Sequence, residues 1–251
     1  TLGPETLRDL SFTLVPGLEL APEAVAQRLL RAGYTRAEQV EAPGQFSLRG
    51  GILDFFTPGQ DQPLRLEYWG DEIESIHCFD ADTQRRTEPL AACRVLPAAE
   101  ALPEAYPGGA AALAQRLEKL AAGLKSGSDA AKATLREDAA RLYTGGMQTA
   151  DRYLALLYPE FYTVLDYLPE EAVVFLDQPG KCAQRGSDFG KQLAEDCKLL
   201  LENGKLLGRL CHFALPFDQA AAALEKFPVF LADNFVQGRC PIEPRQLQSL
   251  T

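Results

Sequence analysis

The sequence predicts an α+β protein: a β-rich module followed by a partial, helix-rich α/β layer with too few strands for a complete sheet. Three observations predict it. From Glu41 to Arg86, short apolar-alternating runs are separated by Pro43-Gly44, Pro58-Gly59 and Gly70-Asp71, the punctuation of tight turns between strands. From Pro97 the stretch PAAEALPEAYPGGAA packs three prolines and two glycines together and reads as a linker. Beyond it, apolar residues recur at helical spacing, and wholly apolar runs of strand length are few. The division this implies is a module over 1–98 and a second region over 99–251.

Taken in order, Leu10 to Leu14 reads as a short strand closed by a turn at Gly17. Pro22 suits the first turn of a helix with Val25 and Leu29 on one face and Gly33 as its stop. Strands are expected around Gln39–Ala42, Phe46–Arg49, Gly51–Phe56, Leu64–Trp69, Glu72–Phe79 and Ala92–Leu96. In the second region, Leu113, Leu117 and Leu120 form a helical stripe ended by Gly123, and Leu135, Ala139 and Leu142 form another. Asp151 to Leu157 reads as a short helix. Val173 to Leu176 is apolar throughout, as expected of a strand covered on both faces. A long helix with Phe189, Leu193, Cys197 and Leu200 on one face should follow and stop at Gly204, then a helix from Phe217 to Lys226 and a strand from Val229 to Ala232.

Composition narrows the function. The 251 residues carry a net charge of −10, which argues against holding a nucleic-acid backbone. No apolar stretch reaches membrane-spanning length and no basic-then-apolar leader opens the chain, so a cytoplasmic location is expected. The chain starts at Thr1 rather than Met, which reads as a piece of something longer. The six cysteines form no C-x-x-C pair and only His77 and His212 accompany them, so no metal site is expected and the thiols read as buried and reduced.

Motifs for catalysis are weak. VVFLDQP, Val173 to Pro179, resembles the acidic strand end of ATPases, yet no phosphate-cradling G-x-x-x-x-G-K-[ST] is present. Asp71, Glu72 and Glu74 have no basic neighbour to split their pKa values and read as a solvated face. Asp80 and Asp82 lack the glycine and the distant glutamate of a calcium loop. No catalytic, cofactor or metal residue is therefore assigned. What stands out is a surface. Along Leu64–Trp69, Arg65, Glu67 and Trp69 fall on the face opposite Leu64, Leu66 and Tyr68. Arg and Trp are the residue types that most often anchor interfaces. Arg49 joins this group if its strand is a neighbour; Arg85 and Arg86 are read as turn residues outside it.

GQFSLRGGILDFFTPG together with PLRLEYWGDEIESIHCFDADTQR resembles the UvrB-homology module of the bacterial transcription-repair coupling factor (Mfd) family, closely from about Leu10 to Glu100. The R-G-x-x-x-D/E and R-x-E-x-x-G-D-E-I-E parts are also similar to UvrB. DRYLALLYPE, LDYLPEEAVVFLDQP and the helix after them resemble, more in order than in residues, the domain 1b that follows this module. The resemblance implies a module that docks on the repair protein UvrA. Position by position it implies UvrA contacts at Arg49, Arg65 and Glu67, with Trp69 where a phenylalanine is usual and His77 where an arginine is common. It also implies that ATP and magnesium, DNA, RNA polymerase and a masking C-terminal autoinhibitory domain belong to regions outside this chain. The alternatives are a part of a UvrB-type helicase subunit and a structural scaffold for motor domains.

Overall fold

In the β-rich module the turn residues set the strand lengths. Gly50 lies at φ +58 in the two-residue turn between Arg49 and Ile52, a position that a side chain would strain. The computed structural model describes residues 2–147, 149–158, 160 and 162–233. The chain divides into two units, one of residues 1–167 with 197–213, the other of 168–196 with 214–251. Cys240 and the end of the second expected region lie outside the described residues.

The first unit opens with helix α1 (Pro4–Leu10), which the sequence did not signal, and strand β1 (Phe12–Leu14). Helix α2 (Pro22–Arg31) follows, and then β2 (Thr35–Arg36), β3 (Gln45–Arg49), β4 (Ile52–Phe55), β5 (Leu64–Trp69), β6 (Glu72–Phe79), β7 (Arg86–Pro89) and β8 (Cys93–Val95). Strands β2 to β7 form one six-stranded sheet in sequence order, parallel between β2 and β3 and antiparallel elsewhere. β1 and β8 pair separately. The inner sheet face, carrying Phe46, Leu53, Phe55, Leu64, Leu66, Ile73 and Ile76, shares one buried cluster with Val25, Ala26 and Leu29 of α2. That burial is the main stabilising term of the module.

The α+β class is as expected, with corrections in detail. Residues 39–42 form a loop, because the Gln45 side-chain oxygen accepts the amides of Glu41 and Ala42 in place of a ladder partner. β7 gives no signal in the sequence, because its residues, RTEP, are all exposed and carry no apolar period. In β6, Ile73 pairs with Tyr68 and Ser75 with Glu67, so Glu74 is an extra residue, a β-bulge. The bulge lets both Ile73 and Ile76 reach the core.

The proline-rich stretch from Pro97 is packed, with Ala101, Leu102 and Pro103 buried. Its backbone bonds Ala32 through the Ala98 amide and Ala150 through the Ala101 carbonyl. Gly33 shows how tight this is. It sits at φ +86, and a Cβ there would meet Leu102 Cδ2 at 2.6 Å and the Ala99 Cβ at 3.1 Å. Gly33→Ala should cost about 2 kcal/mol from backbone strain and the displaced neighbours together, read as a lower urea midpoint. Helices α3 (Gly109–Ala122) and α4 (Asp129–Tyr143) complete the helical part of the first unit with the short α5 (Leu154–Leu157). Both expected stripes are buried there.

The second unit holds β9 (Val174–Asp177) and β10 (Val229–Ala232), paired in parallel, and α7 (Phe217–Ala223). The long helix α6 (Pro179–Glu202) lies in it up to Asp196. Val173–Leu176 and Val229–Ala232 read as strands that a complete layer would cover; in a layer with too few strands they leave apolar surface open, with Phe175 74% exposed, Leu231 67%, and Phe175 stacked on Phe230 at the surface. Apolar content identified the strand but says nothing of what covers it. On α6, Cys197 is buried whereas Phe189 is exposed.

Candidate partner-binding surface

The outer face of the six-stranded sheet is organised by one carboxylate. Along β4, Ile52 and Asp54 alternate with the core residues Leu53 and Phe55, which sends Asp54 to the outer face. The pairing register sets Asp54 directly between Ser47 of β3 and Arg65 of β5. Asp54 is nonetheless only 1% exposed, because two arginines close over it. Arg65 grips it as a fork, Nε to Oδ1 at 2.7 Å and Nη2 to Oδ2 at 2.9 Å, the geometry in which guanidinium and carboxylate pair most strongly. Arg49 Nη2 donates to the same Oδ2 at 3.0 Å.

Arg65 is further fixed from below and from the side. Its guanidinium lies 4.7 Å from the centre of the Phe79 ring, and its Nη1 donates to the Gln84 carbonyl at 3.3 Å. Phe79, Phe56 and Val40 form a small apolar cluster of their own. The hydrogen bond to Asp54 is the largest cause that holds the Arg65 proton more firmly than usual, against the opposing effect of burial. His77, opposite Arg65 on β6, has a buried Nδ1 with no hydrogen-bond partner.

Glu67 is held by a second set of contacts. Ser75 Oγ donates to its Oε2 at 3.0 Å, and Arg86 Nη1 to the same oxygen at 2.8 Å. Arg86 therefore belongs to this face, at the start of β7, and is not the turn residue the sequence implied. Trp69, at the end of β5, is 81% exposed. The four expected residues thus share one face but differ in kind. Trp69 is open, Arg49 has a 55% exposed side chain, and Arg65 and Glu67 are mostly enclosed at 14% and 21%. Nor are the strands of Arg49 and Arg65 neighbours; β4 lies between them, and Asp54 joins them. Asp54 carried a legible signal, an acid within an apolar alternation. Arg86 carried none, since its strand has no pattern.

Among the described residues no group of His, Cys, Asp and Glu is placed to hold a metal ion, and no helix is long and apolar enough to cross a membrane. A cavity of ≈ 550 Å³ in the helical part is lined by Arg141 and Arg152, both engaged with the buried Asp138, and by apolar residues such as Leu154 and Phe213. Tyr153 donates to Asp138 at 2.6 Å, which makes this an internal polar brace.

Residues 12–100, which include this face, match the UvrB interaction domain. The wider chain is similar to transcription-repair-coupling factors, as its sequence leads one to expect. It is 34% identical to that of Bacillus subtilis over 81% of this chain, and 36% identical to that of Myxococcus xanthus over 69%. The matched stretches make up 18% and 14% of those relatives' lengths, so the chain spans a minor part of each. The UvrABC system protein B of Pseudothermotoga lettingae is 27% identical over 70% of this chain.

Proposed function

We infer that this chain recruits UvrA through the outer face of its six-stranded sheet, as a non-catalytic part of a transcription-coupled nucleotide excision repair factor. The observation that carries this reading is the exposed Trp69 on the same face as two fixed charge clusters, inside a UvrB interaction domain. An exposed aromatic anchor beside pre-oriented charges is what a hot spot requires. Arg49, Arg65, Glu67 and Trp69 are the proposed contacts. Because Arg65 and Glu67 are already paired, their part is to hold shape and charge, while Trp69 and Arg49 reach the partner.

In this reading the parent protein is an ATP-driven DNA translocase acting in the cytoplasm. ATP, magnesium, DNA and RNA polymerase are handled by its other regions, and a C-terminal domain masks the face until it is needed. The test is titration calorimetry of this chain against UvrA from the same organism. Saturable binding that is lost when Trp69 is replaced is the expected result. An absence of binding by the wild-type chain would overturn the reading.

A further inference from the structure

Resting on that reading, we propose that the open edge of β3, at Leu48, takes an extended acidic segment of the docking protein as an added strand. The edge is open because β2 is short. Thr35 donates to the Gly44 carbonyl and Ala37 to the Phe46 carbonyl, both at 2.8 Å, and there the ladder stops. The next parallel bond, from the Leu48 amide to the Ala37 carbonyl, is not made. The chain has turned away, fixed instead by the Ser47 hydroxyl donating to the Glu38 carbonyl at 3.0 Å.

Backbone groups alternate sides along a strand. The Gln45 carbonyl bonds the Phe56 amide on the β4 side and the Phe46 carbonyl bonds Ala37 on the β2 side, so Leu48 also faces the β2 side. Its carbonyl receives only Arg36 Nη2 at 3.5 Å, the outer limit of a hydrogen bond. An unpaired amide and a weakly held carbonyl on one residue are what an added strand uses.

The charge around this edge names the occupant. A cleft of ≈ 430 Å³ is lined by Arg36, Ala37, Glu38, Ser47, Leu48 and Arg49. Arg36 has no carboxylate within ion-pair distance among the described residues. Arg49 is the second cation on Asp54, whose charge Arg65 already balances. Two cations thus face one anion, Glu38, on a chain of net charge −10. The register puts Arg36 on the Phe46 side of the sheet and Arg49 on the outer side, and an extended segment sends successive side chains to opposite faces, so neighbouring carboxylates can meet Arg36 and Arg49 while its backbone pairs with Leu48.

The experiment measures UvrA binding by calorimetry for the wild-type chain, R36E and Trp69→Ala, and follows Leu48 amide hydrogen exchange by NMR with and without UvrA. We expect R36E to weaken binding at least about tenfold with an unchanged melting curve, and the Leu48 amide to exchange at least about tenfold more slowly in the complex. Wild-type affinity in R36E, or unslowed Leu48 exchange in a saturated complex, overturns the added strand. If Trp69→Ala still weakens binding then, the face itself stands. No binding by the wild-type chain overturns both.

Discussion

Asp54→Ala should destabilise the β-rich module by about 3 kcal/mol, the largest effect expected of any single change on the outer face. The wild-type carboxylate is 1% exposed and accepts three charged hydrogen bonds, two from Arg65 and one from Arg49. Removing it leaves Arg65, with a side chain only 14% exposed, over the Phe79 ring with only the more distant Glu67, itself paired with Arg86, to balance it. Breaking one side of an enclosed ion pair costs more than the pair itself contributes, because the remaining charge stays desolvated. Arg49 is half in solvent and recovers water, which keeps the loss at the lower end of the range. Asp54→Asn keeps an acceptor and should lose roughly half as much. Urea unfolding followed by far-UV circular dichroism reads the loss of structure. A midpoint within error of wild type for Asp54→Ala would show the carboxylate to be unimportant to the fold.

Trp69→Ala and Arg65→Ala should separate binding from stability. Truncating a central aromatic anchor commonly costs ~2 kcal/mol or more, so Trp69→Ala should weaken UvrA binding at least about tenfold. Its melting curve should match wild type, since the indole is 81% exposed. Arg65→Ala is a different case. The sequence makes Arg65 an outward-facing contact whose loss spares the fold, whereas the structure makes it the main counter-charge of a buried acid. It should therefore cost about 2–3 kcal/mol of stability as well as affinity. Arg49→Ala, with one hydrogen bond to Asp54 and an exposed side chain, should affect binding with a smaller stability loss. The check is calorimetry and urea unfolding on the same preparations. Full UvrA affinity in Trp69→Ala would remove the aromatic from the interface.

These cases show what was legible beforehand. Alternation of apolar and polar residues placed β3, β4, β5 and β6 and assigned Arg65, Glu67 and Trp69 to one face, because a side-chain period of two follows from strand geometry. The helical stripes of α2, α3 and α4 were equally clear. Pairing order was not, since alternation does not say which strand lies beside which, and so Asp54 went unseen as the link between Arg49 and Arg65. Edge strand β7 and helix α1 lack an apolar period of the length that would reveal them. The packed stretch from Pro97 looked like a linker because proline and glycine report local turns and not burial. For β9 and β10, hydrophobicity reports the strands, while it is the shortage of partner strands that points to their open apolar surface.

The bulge in β6 has a consequence for how this module tolerates changes of length. Strand phase is binary, so gaining or losing one residue within a strand sends every later side chain to the opposite face. Glu74 is the exception. Ile73 and Ser75 already point inward and outward on either side of it, so its deletion would leave a regular alternation, with Ile76 still inward and His77 and Phe79 still outward. The strand would straighten and lose some twist, but Phe79 would stay beneath Arg65. A one-residue gap at Ile76 or beyond would instead either break the phase with β5 or, by giving up the bulge, turn Ser75 inward and away from Glu67. Glu74 is thus the site within β6 where length can drift without dismantling the face that Arg65 and Glu67 build.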